Sequence, residues 1–504
     1  KRNMAKRSSI SVILCFLSFI LIESGNWLVK TFGEVAFEQY LFYLFGPKDG
    51  TNTNIFGQYF LECFLKVVLW TVLFAVIYFV LLRIFHSVRT SLKVRLGRRY
   101  FRWNLSFSTL VLIGSILFLV VAGFVFSNTI GLHDYLVNQT SFSTIYEDYY
   151  VDPNGKVTFP EEKRNVIIIY MESMESTYSA SSSGGAGDVD YIPRLTELAT
   201  DNIQFSNTDQ MGGAFILPGT GWTTAALVSS SSGMGLMVPL DYNATTTYNK
   251  FLPNAITLGD VLDEAGYNQV FMIGSDADFG GRSTYFRLHG DYTIYDYKTA
   301  IEEGLIPEDY YVWWGYEDSK LFEFAKDKLL ELASQNEPFN FTLLTADTHF
   351  VAGYLDSSCA EPYDDQFKNV LLCSSNMIYD FVRWIQEQDF YENTTIVLTG
   401  DHQTMDNVWI TEYVPEDFNR TVYNAFINSA VEPVNEKNRL FSSYDMYPTI
   451  LASMGATIEG DRLGLGTNLF SSQETLIEQL GYSELYAELE KNSKFYNREF
   501  IYSN

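Results

Sequence analysis

A chain of 504 residues with 34 basic against 61 acidic side chains carries a formal net charge of −27. That balance argues against nucleic-acid binding, because a phosphate backbone needs a basic surface. The length suffices for more than one domain and a sizeable core.

Nearly all the long apolar runs lie before residue 130. Three read as membrane spans: residues 10–29 ("ISVILCFLSFILIESGNWLV"), about 64–84 (centred on "VVLWTVLFAVIYFVLL") and 105–127 ("LSFSTLVLIGSILFLVVAGFVFS"). A span needs roughly 20 mostly apolar residues. No small-residue cleavage site follows the first run and two further spans do, so it reads as an anchor rather than a signal peptide. Lys1, Arg2, Lys6 and Arg7 precede the first span. Arg83, Arg89, Lys93, Arg95, Arg98, Arg99 and Arg102 crowd the short loop before the third. The intervening loop has only Lys30 and Lys48, balanced by Glu34, Glu38 and Asp49. The positive-inside rule then puts the N-terminus and the basic loop in the cytoplasm, and everything after Ser127 outside it. Residues 1–127 are thus expected as a membrane domain. The opening at Lys1 leaves room for residues, or a further span, upstream.

Residues 128–160 read as a juxtamembrane connector of short helices and loop, with a turn at Asp152-Pro153-Asn154-Gly155. From 161 to about 472, short buried-looking runs alternate with amphipathic stretches such as "ITLGDVLDEAGY" and "LFEFAKDKLLELASQ". That alternation predicts an α/β domain, a mostly parallel sheet sandwiched by helices. Residues 473–504 read as a helical tail on the surface, packed back or mobile. Cys15 and Cys63 lie in or near spans. Cys359 and Cys373, on the outer side, suit a disulfide stapling a polar loop, with two unpaired thiols as the alternative.

Four runs end alike. "NVIIIYMES" ends at Glu172, "NQVFMIGSD" at Asp276, "FTLLTADTH" at Asp347 and His349, and "TTIVLTGDH" at Asp401 and His402. Ligands of open α/β sheets bind beyond the carboxyl ends of the strands. Parallel strands would therefore gather these groups on one edge. Carboxylates plus an imidazole without thiolates suit Mn²⁺, Mg²⁺ or Zn²⁺. Taken singly, Glu172 also fits a helix N-terminal acid, and His402 a core histidine. A nucleophile candidate follows from "LPGTGWTTAALVSSSSG", where glycines allow a tight turn and "WTTAALVSS" opens a helix. A hydroxyl there sits in the positive field of free N–H groups. Thr220, Thr223 and Thr224 all qualify, and each also fits plain N-capping.

In order, "NVIIIYMES", "GTGWT", "GSDADFGGRSTY", "TADTHF" and "LTGDH" resemble the membrane-anchored phosphoglycerol transferases of the alkaline phosphatase/sulfatase superfamily. The resemblance covers roughly residues 160–472 and is nearer to the enzymes that decorate periplasmic glucans than to the lipoteichoic acid synthases. The glucan-decorating enzymes also carry a two-cysteine insertion. The resemblance implies that Glu172, Thr223, Asp401 and His402 hold one Mn²⁺-like ion, with Thr223 as nucleophile. It further implies that Arg282 and His349 contact the glycerol phosphate, with Asp276 beside them. The implied donor is phosphatidylglycerol, and the implied acceptor is a glycan or glycolipid outside the plasma membrane of a bacterium. Diacylglycerol is released through a glycerophospho-threonine.

Two departures favour single-unit transfer over polymerisation: three spans rather than five, and Gly221-Trp222-Thr223 where the synthases read Gly-Lys-Thr. A sulfatase-like hydrolase would need a C/S-x-P-x-R motif, which is missing near Thr223. A phosphoethanolamine transferase would bring more zinc-type histidines and disulfides. A non-catalytic glycan-binding protein would lose a metal ligand, and all four matched positions are filled.

Overall fold

The computed structural model describes residues 2–33, 35–45, 54–96, 99–239 and 250–502. Lys1, Glu34, Lys48, Asp49 and Arg98 of the charge pattern lie outside them. Two compact units divide the chain, Lys1–Val35 with Asn52–Asp134, and Ala36–Thr51 with Tyr135–Asn504.

The first unit is built from apolar helices. Helix α1 (Arg2–Phe32) precedes the short α2 (Phe37–Phe45), which belongs to the second unit. Helix α3 (Asn54–Tyr59) runs through a π-turn into α4 (Leu65–Phe85), and α5 (Phe107–Thr129) follows. Met4–Phe32, Gly57–Phe85 and Phe107–Thr129 are each long and apolar enough to cross a membrane. Hydroxyls and small residues hold these helices together. Arg7 Nη1 donates to Thr109 Oγ1 at 2.8 Å, and Ser8 Oγ meets the Tyr78 hydroxyl at 2.9 Å. Such contacts serve where apolar side chains gain little by leaving lipid. The basic stretch expected as a loop is an antiparallel ribbon, β1 (Arg89–Leu96) with β2 (Arg99–Ser106). Consequently the third helix starts at Phe107 rather than Leu105, with the Ser106 hydroxyl accepting from Thr109 N at its cap.

Helix α6 (Leu132–Thr140) carries the chain from the first unit into the second, where α7 (Ile145–Tyr149) leads to a short β3 (Val157–Thr158), paired with Thr457–Ile458. The central sheet has the order β6-β5-β7-β4-β8-β9. Its strands are β4 (Asn165–Met171), β5 (Asn268–Ile273), β6 (Thr293–Tyr295), β7 (Phe339–Leu344), β8 (Thr394–Gly400) and β9 (Asn424–Ile427). All neighbours are parallel except β8 and β9. The strands read as continuous apolar runs because helices cover both faces. In β4 the period of two sends Val166, Ile168 and Tyr170 to one core and Ile167, Ile169 and Met171 to the other. Helix α8 (Pro193–Asp201) joins the second core, and α9 (Thr223–Ser232), buried along its length, the first. The tail is no loose surface helix: Leu476, Leu485, Leu489, Tyr496 and Phe500 are buried in the first core. This α/β architecture, with helices on both faces of a mostly parallel sheet, is the one expected.

Candidate active site

Strands β4 and β8 are adjacent and in register from Asn165–Thr394 to Met171–Gly400. That register sets Glu172 beside Asp401 and His402 as each chain leaves the sheet. Gly400 permits the approach: a Cβ there would lie 1.9 Å from the Met174 carbonyl oxygen. One ligand atom from each of Glu172, Asp401 and His402 lies within 4.8 Å of the others, and all three residues are buried. Local hydrogen bonds aim them. Backbone N–H groups of Ser173 and His402 each donate to Asp401 Oδ1 at 2.7 Å. Ser173 Oγ donates to Glu172 Oε1 at 2.7 Å, and Ser173 itself takes a φ of 52°. His402 Nδ1 faces the Gln403 carbonyl at 2.7 Å, so it carries the proton and leaves the Nε2 lone pair toward the carboxylates.

Thr223 opens α9 after Trp222 in extended conformation. Its Oγ1 lies 3.3 Å from both Glu172 Oε2 and His402 Nε2. The other two threonines are committed elsewhere. Thr220 Oγ1 donates to the Leu217 carbonyl at 2.8 Å and accepts from Leu217 N at 3.0 Å. Thr224 Oγ1 donates to the Gly280 carbonyl at 3.2 Å. Gly219, at φ 73°, makes the turn, since a Cβ would meet Leu236 N at 2.7 Å.

Two buried carboxyls at this distance oppose one another. Burial and the Glu172 charge push the Asp401 carboxyl up to about 7. Burial also raises Glu172, but His349, His402 and hydrogen bonds from Ser173 and Thr223 outweigh it and hold the group below its ordinary value. Burial lowers His402, while Asp401 and Glu172 carry it above its usual range. A divalent cation fits this donor set. Asp401 Oδ2 is buried with no hydrogen-bond partner among the described residues, the His402 lone pair faces the same space, and the acids supply the neutralising charge.

Residues 164–456, more than half the chain, match the sulfatase family. The chain belongs to the sulfatase family. Phosphoglycerol transferase I of Escherichia coli O127:H6 (strain E2348/69) is 30% identical over 337 residues, 64% of this chain and 41% of that protein. The protein of the same name in strain K12 MC4100/BW2952 matches to the same extent. This chain therefore spans well under half the length of those relatives. A protein in the alkaline phosphatase superfamily from Vibrio parahaemolyticus shares the fold with a TM-score of 0.51 and 20% identity, over 65% of this chain and 76% of that one. The lipoteichoic acid synthase LtaP from Listeria monocytogenes superposes with a TM-score of 0.49 and 17% identity, over 65% and 80%.

Around the metal-type cluster of this sulfatase-family domain, Arg282 starts the helix Arg282–Leu288 and donates through Nη2 to the Asp276 carbonyl at 2.8 Å. Its Nε is buried with no acceptor among the described residues. His349 Nδ1 faces the Phe350 carbonyl at 2.7 Å. Burial holds His349 below its usual range despite the pull of Glu172, so the imidazole is neutral, and its Nε2 has no hydrogen-bond partner among the described residues. Two strand-end acids do not join the cluster. The Asp276 carboxylate pairs with Lys298 at 2.9 Å and accepts from Asp278 N. Asp347 accepts from Asp318 N, while both Asp318 oxygens accept from Ala346 N and Asp347 N. Cys359 and Cys373 form a disulfide across 14 residues, with Cα atoms 5.7 Å apart. Sequence reasoning missed Ser173, Thr345 and Thr348. Thr345 Oγ1 accepts from Glu172 N, and Thr348 Oγ1 donates to the Glu172 carbonyl. Their signal was present only as hydroxyls flanking the acidic strand ends.

Proposed function

We propose that this protein transfers glycerol phosphate from phosphatidylglycerol to a glycan or glycolipid hydroxyl, with Thr223 as the covalent carrier. The observation that carries the reading is the Thr223 hydroxyl, freed from its own turn and set 3.3 Å from both Glu172 and His402. Sequence kinship with phosphoglycerol transferase I supports the choice of transferred group.

Glu172, Thr223, Asp401 and His402 would hold one divalent cation, Mn²⁺ before Mg²⁺ or Zn²⁺ for an oxygen-rich set with one imidazole. Such an ion supplies Lewis acidity, lowering the hydroxyl pKa and offsetting phosphoryl charge. Thr223 Oγ1 forms a bond to phosphorus while the bond from phosphorus to the diacylglycerol oxygen breaks. The proton lost by Thr223 ends on that oxygen. His349, its Nδ1 turned to the Phe350 carbonyl and its imidazole kept neutral by burial, would carry it. Arg282 binds a phosphoryl oxygen through its unpaired Nε, a charge-assisted contact that strengthens as negative charge builds. In the second half, an acceptor hydroxyl gives its proton to His349 and attacks phosphorus, restoring Thr223. The N-terminal field of α9 faces the developing charge at both stages.

The three long apolar helices suit a lipid donor. By the charge pattern, the sulfatase-family unit stands on the extracytoplasmic face of a bacterial plasma membrane. The test is diacylglycerol release from phosphatidylglycerol in detergent with Mn²⁺, with phosphatidylethanolamine as second donor. Release from phosphatidylglycerol, abolished in Thr223→Ala, is the expected result. Release from phosphatidylethanolamine alone, or none from either, overturns the assignment.

A further inference from the structure

Helix α2 sits in the sequence between the first two long apolar helices, yet it belongs to the sulfatase-family unit. Its residues "FEQYLFYLF" are too few to span a membrane. Phe42 is fully buried and packs against Trp222, the residue before Thr223, with ring centroids 5.9 Å apart. Gln39 Nε2 donates to Met405 Sδ at 3.2 Å. Next along, Tyr43 stacks on Phe279, with centroids 5.5 Å apart and planes 16° off parallel.

Phe279 is a hub. The guanidinium of Arg282 lies over its ring at 5.6 Å, and Trp314 packs against it at 5.6 Å. Trp314 also meets His349 at 4.7 Å. Three donors around this ring lack acceptors among the described residues. Arg282 Nε and Trp314 Nε1 are buried and unpartnered. The Tyr43 hydroxyl takes part in no hydrogen bond among the described residues, and burial, aided by Glu172 and Asp401 against Arg282, keeps it protonated. Arg282 is itself more than nine-tenths buried.

We propose that Tyr43 and Trp314 select the headgroup: with Arg282 they form a donor-rich wall around Phe279 that takes a phosphate ester bearing hydroxyl oxygens in preference to one bearing an ammonium group. With Arg282 Nε held by a phosphoryl oxygen, a polyol offers acceptor oxygens to Tyr43 and Trp314. An ammonium adds N–H donors that find only the Tyr43 oxygen to accept them on this wall, and it sets a positive charge beside a guanidinium. The cation–π site on Phe279 is already served by Arg282. Tyr43 and Trp314 are thus positioning residues, one of them supplied from the stretch between the first two apolar helices.

The inference rests on the glycerol-phosphate reading above, and the experiment separates the two. Full-length protein in detergent with Mn²⁺ is titrated calorimetrically with glycerol phosphate and with phosphoethanolamine, as wild type, Tyr43→Phe and Trp314→Phe. Diacylglycerol release from phosphatidylglycerol is measured on the same samples. Tyr43→Phe keeps the stacked ring and removes one oxygen. Wild type is expected to prefer glycerol phosphate. Each substitution weakens that ligand about 3- to 10-fold, the weight of one neutral hydrogen bond, and leaves phosphoethanolamine unchanged. KM for phosphatidylglycerol rises with kcat held within about twofold. Equal affinity of wild type for both ligands, or an equal weakening of both in the variants, overturns the wall. A preference that persists without diacylglycerol release supports the wall and overturns the donor assignment instead.

Discussion

Thr220 and Thr223 are three residues apart, both hydroxyl-bearing and both buried, and their removal should have opposite consequences. In Thr220→Val the side-chain volume is kept. The hydroxyl removed had donated to Leu217 O and accepted from Leu217 N. The Leu217 carbonyl retains Thr220 N as a donor at 3.1 Å, whereas Leu217 N is left buried without its partner. One broken hydrogen bond plus one stranded donor costs about 2–4 kcal/mol. At roughly 2 °C per kcal/mol for a large domain, the sulfatase-family unit should unfold about 4–8 °C lower. Its turnover per folded molecule should barely change. In Thr223→Val the two hydrogen bonds removed are long, 3.3 Å each, and their partners Glu172 and His402 keep Ser173 Oγ and the Gln403 carbonyl. Tm should stay within about 2 °C, while diacylglycerol release falls about a thousandfold or more. Thermal unfolding by circular dichroism and release from labelled phosphatidylglycerol decide the matter. Full turnover in Thr223→Val, or abolished turnover with unchanged Tm in Thr220→Val, would show that the wrong hydroxyl had been chosen.

Adding Mn²⁺ at about 100 times its dissociation constant should stabilise the wild type by about 2.7 kcal/mol; thermal scans of Asp401→Ala and His402→Ala should show no such rise, and an equal rise would place the ion elsewhere. With metal chelated, the buried carboxyls govern the pH response. Burial pushes Asp318, Asp401 and Asp445 each up to about 7, and Asp347 well above its usual range. Folding therefore binds protons between the ordinary carboxyl range and about pH 7, so stability falls as pH rises through that window and levels beyond it. His402, raised, adds to the trend and His349, lowered, opposes it. Chelated protein should melt higher at about pH 5 than at about pH 7.5, with Mn²⁺ narrowing the gap; a rising profile would refute the sign. Reduction of Cys359–Cys373 should cost about 3 kcal/mol, the loop entropy of a short cross-linked segment, read as a lower Tm in dithiothreitol that Cys359→Ser abolishes.

The strands could be read from the sequence because their information is local. A strand covered on both faces must be apolar throughout and must stop where polar groups begin, so Glu172 and Asp401 marked the ends of β4 and β8 from composition alone. Choosing among Thr220, Thr223 and Thr224 needed more, since each hydroxyl's partner is set by how the turn closes. The same limit explains Asp276 and Asp347. They end strands as Glu172 does, but Lys298 and the Asp318 backbone claim them. Helix α2 escaped notice because it is too short for a span and too greasy for a solvent loop. Its partners, Trp222 and Phe279, are more than 170 positions away. The choice between a packed and a mobile tail stayed open for a related reason: its apolar residues look sparse until Tyr146 and Tyr496 are brought together at 5.1 Å.

Gln39 and Met405 are 366 residues apart, and proteins are made from the N-terminus. Helix α2 therefore emerges hundreds of residues before the surfaces that will cover Phe42 exist. During that interval its aromatic face is unsheltered, and closing so long a loop is slow. Assembly would then finish only when a segment synthesised well before its partners is seated against them. Newly made protein should thus pass through a stage in which α2 is open to proteolysis and self-association, and factors that shield it would govern the yield of active molecules.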